Sequence, residues 1–244
     1  MPTAHYKDSR RKKYRLKLKV ENIHKSYDDL LVLEGITIDF LENKTTCILG
    51  PSGCGKTTLL NIIAGLLDPD KGQVKDCDKE NISFVFQEDR LIEWKTVRDN
   101  ISFVLKGKMN EKEIDRIIDK YLKMMKLEDS KYYYPNKLSG GMRQRISILR
   151  AFAYPSNLLL MDEPFKSLDI KNKEILIDFF KKLQEKDKKT SIVVTHDIDE
   201  ALEIGDQIVI LTDKPSKVVK IMKNVKYGLD KKRIREGIEE SLNH

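Results

Sequence analysis

The chain has 244 residues, 40% hydrophobic and 35% charged, which is enough for one substantial core or for a core with a smaller satellite. No apolar run approaches the roughly 20 residues that span a bilayer, and residues 1–13 are polar and basic, without the apolar stretch of a secretion signal; a soluble intracellular chain is expected. The formal net charge of +7 comes from lysines and arginines spread along the whole chain, which describes a solvated basic surface, with attraction to anionic lipid headgroups as the functional alternative and no motif for nucleic acid.

In chain order, residues 16–23 and 36–40 alternate as half-buried antiparallel strands do, and residues 45–49 form a short apolar strand running into a glycine-rich loop. Residues 56–66 have helical spacing and 82–86 return to strand. Residues 91–127 read as mostly helical, most clearly over 109–125, where Asn110 can cap and Ile114, Ile117, Ile118, Leu122 and Met125 recur at helical intervals. A helix over 141–154 is stopped by Pro155. Strand 158–161, helix 173–186, strand 191–195, helix 198–204 and strands 207–211 and 217–222 follow, and a charged tail over 229–244 is expected to be helical. Alternation of strand and helix predicts a mostly parallel sheet with helices on both sides. The three cysteines, Cys47, Cys54 and Cys77, have no metal-ligand spacing and read as reduced thiols.

Gly50-Pro51-Ser52-Gly53-Cys54-Gly55-Lys56-Thr57 fills every fixed position of the P-loop pattern between a predicted strand and a predicted helix, with Thr58 following. The glycines let successive N–H groups point inward at phosphate oxygens, and the helix aims its positive end at the same place. Lys56 places an ammonium on the β- and γ-phosphates of ATP, and the Thr57 hydroxyl ligates Mg²⁺. An ordinary glycine-rich turn is the competing reading, disfavoured by the flanking elements. Cys54 fills a free position as a small residue, and a thiol reagent on it is expected to block ATP binding.

A second site element is the apolar run Leu158-Leu159-Leu160-Met161 ending in Asp162-Glu163. A buried strand delivers both acids to its carboxyl edge, where ligands sit in such sheets. Asp162 suits Mg²⁺, and Glu163 suits a general base that polarises the attacking water.

Leu138-Ser139-Gly140-Gly141-Met142-Arg143-Gln144-Arg145, just upstream of that strand, resembles the signature of ABC ATPases. The resemblance runs from about residue 18 to 219. It implies an α/β fold: a P-loop NTPase core with a mostly parallel sheet, an N-terminal antiparallel β subdomain and an inserted α-helical subdomain. The expected division is a basic tail over 1–15, the core over 16–90 and 156–225, the helical subdomain over 91–155 and a tail over 226–244. It also implies that Ser139, Gly140, Gly141 and Gln144 act in trans, on ATP held by a second copy of the chain. Gln87 resembles the Q-loop glutamine, which contacts Mg²⁺ and water. Ser167-Leu168-Asp169 resembles the D-loop, His196 the switch histidine at the γ-phosphate, and Tyr27 the aromatic that stacks on adenine. Lys166 departs from the family pattern, in which many relatives carry glycine, and so does the run Ile148-Leu149-Arg150-Ala151.

The resemblance further implies a separate integral membrane permease docking near residues 87–100, an extracytoplasmic substrate-binding protein acting indirectly, and a peripheral position on the cytoplasmic face of the membrane. Trp94, the only tryptophan, reads either as a partly buried anchor or as an apolar contact for the permease. The segment after Gln87, with Met142 and Phe165, resembles importers of nitrate, sulfonate or taurine, and also importers of thiamine precursors. A soluble ABC ATPase without a transport role is the alternative; ribosome-acting relatives carry two cassettes on one chain, and DNA-repair relatives carry long coiled coils, for which the sequence shows no sustained heptads.

Overall fold

The computed structural model describes residues 18–166, 168–223, 225, 235, 236 and 238–240. The expected basic tail over 1–15, Ser167 of the D-loop triplet and most of the tail over 229–244 lie outside these residues.

Two sheets organise the chain. The first is antiparallel, in the order β2-β1-β4, built from β1 (Lys19–Tyr27), β2 (Leu30–Asp39) and β4 (Lys71–Lys75). The second has six strands in the order β5-β6-β7-β3-β8-β9: β3 (Thr45–Leu49), β5 (Ile82–Val85), β6 (Leu158–Asp162), β7 (Thr190–Val194), β8 (Gln207–Leu211) and β9 (Val218–Lys223). Its first five strands run parallel, and β9 closes the edge antiparallel to β8. The helices are α1 (Lys56–Ile63), α2 (Val97–Leu105), α3 (Glu111–Met124), α4 (Gly140–Ala153), α5 (Ile170–Asp187) and α6 (Ile198–Ile204).

The parallel strands are mostly apolar on both faces because both faces are covered. Successive side chains alternate between two cores. Leu159, Met161, Val193, Ile208 and Ile210 join Cys47 and Leu49 in a core with α3, α4 and α5. Leu158, Leu160, Ile192, Val194, Val209 and Leu211 join Ile48 in a second core with α1 and the antiparallel sheet.

Several boundaries differ from the sequence expectation. The hairpin β1–β2 reaches to Tyr27 and Leu30, paired across Asp28, whose φ is 50°; the polar residues Lys25 and Ser26 hide that strand end from a hydrophobic pattern. β4 (Lys-Gly-Gln-Val-Lys) is an exposed edge strand with one apolar side chain, so no alternation marks it. α1 stops at Ile63, three residues before the expected end, where Gly65 takes a left-handed φ of 68°. Residues 91–96 are a loop rather than a helix. The buried Asn100 holds it, accepting from Ile92 N–H and donating to the carbonyls of Ile92, Lys95 and Thr96. α3 begins as expected on a reciprocal capping box between Asn110 and Glu113.

Candidate nucleotide and catalytic site

Strand order places the chemistry. β5, β6, β7 and β3 are consecutive parallel neighbours, so their carboxyl ends share one sheet edge. Gln87 follows β5, Asp162 and Glu163 end β6, His196 follows β7, and the P-loop follows β3.

The loop glycines are there for closeness and conformation. Gly55 takes φ 112°, and a Cβ on it would lie 2.7 Å from Val32 and 2.9 Å from Leu33, both on β2. The antiparallel sheet thus presses directly on the start of α1. Tyr27 lies at the end of the same hairpin, half exposed, with the Lys25 ammonium 6.0 Å from its ring. Lys56 is buried, and its Nζ donates to the carbonyls of Gly50 (2.8 Å) and Pro51 (2.7 Å). Ser52, Gly53 and Thr57 are exposed. Cys54 corrects the expectation for its thiol: the side chain is fully buried in the core beneath the loop, leaving only backbone for the phosphate side.

Asp162 is 4% exposed, and its Oδ1 is buried without a hydrogen-bond partner. Burial drives its carboxyl above the ordinary range; the Thr57 hydroxyl beside it pulls back only in part, and the Glu163 charge adds to the rise. An orphaned buried carboxylate oxygen next to a P-loop hydroxyl suits a divalent cation. Glu163 has a left-handed φ of 44°, with its N–H donating to Val194 O at 2.9 Å. Its Oε1 lies 3.3 Å from His196 Nδ1, and its Oε2 lies 2.7 Å from Lys166 Nζ. Burial pushes this carboxyl up, but Lys166 and His196 together bring it net below its ordinary value.

His196 is exposed on a well-held loop. Thr195 Oγ1 donates to Glu200 Oε2 at 2.5 Å, while Asp197 caps α6 by accepting from Asp199 N–H (2.8 Å) and Glu200 N–H (3.2 Å). Lys173 pairs with both Asp197 and Glu200. A cleft of about 160 Å³ between Glu163, Lys166, His196 and Asp197 has room for water but not for a nucleotide.

Ser139 caps α4, its Oγ accepting from Met142 N–H at 3.3 Å, and Ser139 and Gly140 are exposed. A Cβ on Gly140 would meet no atom of this chain within 4 Å, whereas one on Gly141 would touch Asn172 at 3.3 Å. Gln144 departs from its expected place in the outward-facing set: its side chain is buried and donates to Pro164 O at 2.9 Å, tying α4 to the turn after Glu163 within one chain. Asp169 caps α5 through Asn172 N–H at 3.0 Å.

Gln87 is exposed at the rim of a cavity of about 590 Å³ that reaches Gly140 and Lys166. Arg143, which lines it, and Arg150 nearby were given no contact role by the sequence reading. Arg143 on α4 binds Asp89 (2.8 and 3.1 Å) and Glu93 (2.6 Å), and Arg150 donates to the carbonyls of Asp89 (3.2 Å) and Arg90 (3.0 Å). The segment after Gln87 is therefore stapled to the helix that carries Ser139. The charge pattern Asp89, Glu93, Arg143, Arg150 was the available signal, but sequence does not pair residues 50 or more positions apart. Trp94 is 80% exposed, which removes the reading of it as a buried anchor.

The family model described as ABC transporter matches residues 33–166. An uncharacterized ABC transporter ATP-binding protein, MJ0412 of Methanocaldococcus jannaschii, is 40% identical over 242 residues, covering 94% of this chain and 89% of that protein. A sulfate/thiosulfate import ATP-binding protein, CysA, of Mannheimia succiniciproducens is 40% identical over 80% of this chain, and an Fe(3+) ions import ATP-binding protein, FbpC, of Fusobacterium nucleatum is 38% identical over 80%. The chain spans only 59% and 56% of the length of those two importers. Among solved structures, a dimeric post-hydrolysis state of the ATP-binding cassette MJ0796 bound to ADP and Pi is 35% identical, with a TM-score of 0.73 over 84% of this chain and 98% of that one. CbiO1 of Clostridium perfringens, part of the transporter complex cbiONQ, is 28% identical, with a TM-score of 0.76 over 91% and 94%. The chain belongs to the ABC transporter family, as one of its ATP-binding ATPase subunits.

Proposed function

We propose that two copies of this chain close face to face around two ATP molecules and that hydrolysis, by weakening this interface, powers import through a separate permease. The observation that carries the reading is the tip of α4. Gly140, the first residue of α4, has no steric neighbour within its own chain that would require a glycine. Exposed Ser139 and Gly140 at a helix N-terminus suit an anion brought close by another molecule. The dimeric cassettes among the similar structures support the same arrangement.

Within this reading the P-loop amides and Lys56 hold the phosphates, Lys56 exchanging its two carbonyl partners for phosphate oxygens, with Thr58 next along α1. Tyr27 stacks on adenine. Thr57, Asp162 and Gln87 would hold Mg²⁺, which would neutralise the charge of the phosphates. Glu163 takes a proton from the attacking water, and His196 contacts the γ-phosphate. Asp169 lies at the seam between the subunits.

The permease docks near residues 87–100, where exposed Trp94 offers an apolar contact and Arg143 and Arg150 pass movement to α4. Among the described residues no helix is long and apolar enough to cross a membrane, which fits a peripheral subunit on the cytoplasmic face that depends on a permease and, beyond it, a substrate-binding protein. For the cargo we propose a small anion. Sulfate or thiosulfate, named for several relatives, is such an ion, as are the nitrate and sulfonate suggested by the segment after Gln87, and taurine, suggested by the same segment, is a zwitterion that presents a sulfonate; Fe(3+) and thiamine precursors are the competing cargoes.

A mixed dimer tests the trans contact. One subunit carries Ser139→Ala and the other Lys56→Ala. Contacts in trans leave one composite site intact, so about half of the wild-type activity survives. Loss of all activity means that both half-sites belong to one chain.

A further inference from the structure

We propose that Lys166 is a positioning residue for Glu163, holding the carboxylate in place by an ammonium contact from the same turn. The inference rests on the reading of Glu163 as general base.

Glu163 Oε2 is buried and makes no hydrogen bond other than this ion pair, in which Lys166 Nζ lies 2.7 Å away. The backbone brings the two side chains within reach. Lys166 N–H donates to Glu163 O at 3.2 Å, closing a turn that sets the two side chains on one side. That turn is pinned at each step: Glu163 N–H to Val194 O, Pro164 O to Gln144, and the Phe165 ring buried in the core. The carboxylate is thus gripped at both ends, by Lys166 on Oε2 and by His196 on Oε1. A carboxylate offers about four lone-pair directions, so the grip leaves acceptor capacity for a water while fixing the plane of the group.

Removing the ammonium would leave a buried, charged oxygen with no partner, and Glu163 would turn to find one. Displacement of a catalytic group by about 1 Å can cost up to a hundredfold in rate. Lys166 makes no hydrogen bond or ion pair with the P-loop or with Asp162, on which its charge acts only as the last and smallest of the named influences, so ATP affinity should change little. The expected signature is a fall in kcat without a rise in KM. Lys166 is also partly exposed, so Lys166→Met, which keeps the stem and removes the charge, should fold.

The test is steady-state ATP hydrolysis by wild type, Lys166→Met, Lys166→Gln, Lys166→Arg and Glu163→Gln, each checked for folding by thermal melting. Both uncharged variants should lose about 10-fold in kcat with KM for ATP within about twofold, and Lys166→Arg, which keeps a cationic donor, should recover most of the loss. If Glu163→Gln abolishes turnover while Lys166→Met and Lys166→Gln hydrolyse ATP like wild type, or if Lys166→Arg is as slow as they are, the positioning role is wrong and the general base stands. If Glu163→Gln keeps its turnover, the general-base reading fails and this proposal fails with it.

Discussion

Substituting Asp197 should loosen the loop that presents His196, and the structure supplies the magnitude. Asp197 caps α6 through two N–H groups and pairs with Lys173 Nζ at 2.5 Å. Loss of an N-cap costs typically about 1 kcal/mol. The ion pair adds less, about 0–1 kcal/mol, because Lys173 keeps Glu200 at 2.7 Å. Asp197→Ala should therefore lose about 1–2 kcal/mol in urea unfolding, or about 2–8 °C in Tm for a chain of this size. Asp197→Asn keeps a capping oxygen and should lose under about 1 kcal/mol. The pH dependence follows from the carboxyl itself. Burial raises its pKa, but Lys173 and the Glu200 N–H more than reverse this, so the folded value lies below the ordinary one. Such a group contributes stability that is complete above the unfolded value, about 3.9, and is lost as pH falls through the folded value. The gap between wild type and Asp197→Ala should be full at neutral pH and narrow below about pH 4. Hydrolysis should fall with it, since His196 is the preceding residue. A loss below about 0.5 kcal/mol in Asp197→Ala, or equal losses in the Ala and Asn variants, would refute the capping argument.

Further consequences are sharper but simpler. Gly55→Ala meets Val32 and Leu33 inside 3.0 Å at a positive φ, so it should cost about 1–3 kcal/mol in denaturant melts and remove nucleotide binding measured by fluorescent ATP titration. A maleimide applied to the native protein should label Cys77 and spare Cys47 and Cys54, which are fully buried, and labelling should leave ATP binding unchanged; mass spectrometry of digests reads the sites. Burial also raises the Cys77 thiol pKa, so the reaction should be slow at neutral pH. Arg143→Ala frees Asp89 and Glu93 and should cost about 1–2 kcal/mol in urea unfolding, with part of the loss returned by pairing Arg143→Asp with Asp89→Arg.

Short fixed motifs were readable because their chemistry is local. A P-loop needs glycines, Lys56 and Thr57 at set spacings, and an apolar strand ending in two acids needs only its own residues. The central strands were equally plain, since a strand buried on both faces carries an apolar run of three or more residues, with polar residues only at its ends. What pattern could not show was edge and hairpin structure: β4 carries one apolar residue, and the far half of β1 mixes Lys25 and Ser26 with Tyr27. Long-range polar contacts were hidden as well. That Gln144 turns inward to Pro164 O and that Arg143 grips the segment after Gln87 depend on how a helix face is oriented, and even the local contact of Lys166 with Glu163 depends on how a turn is oriented. Cys54 shows the same limit, since a free position in a motif says nothing about which way its side chain points.

The most direct measurement is the mass in solution of Glu163→Gln, with and without MgATP, by sedimentation equilibrium. With hydrolysis stopped and binding intact, the nucleotide should hold two 28.4 kDa chains together, and ADP should let them part. A single-chain mass at saturating MgATP would contradict a site shared between two copies.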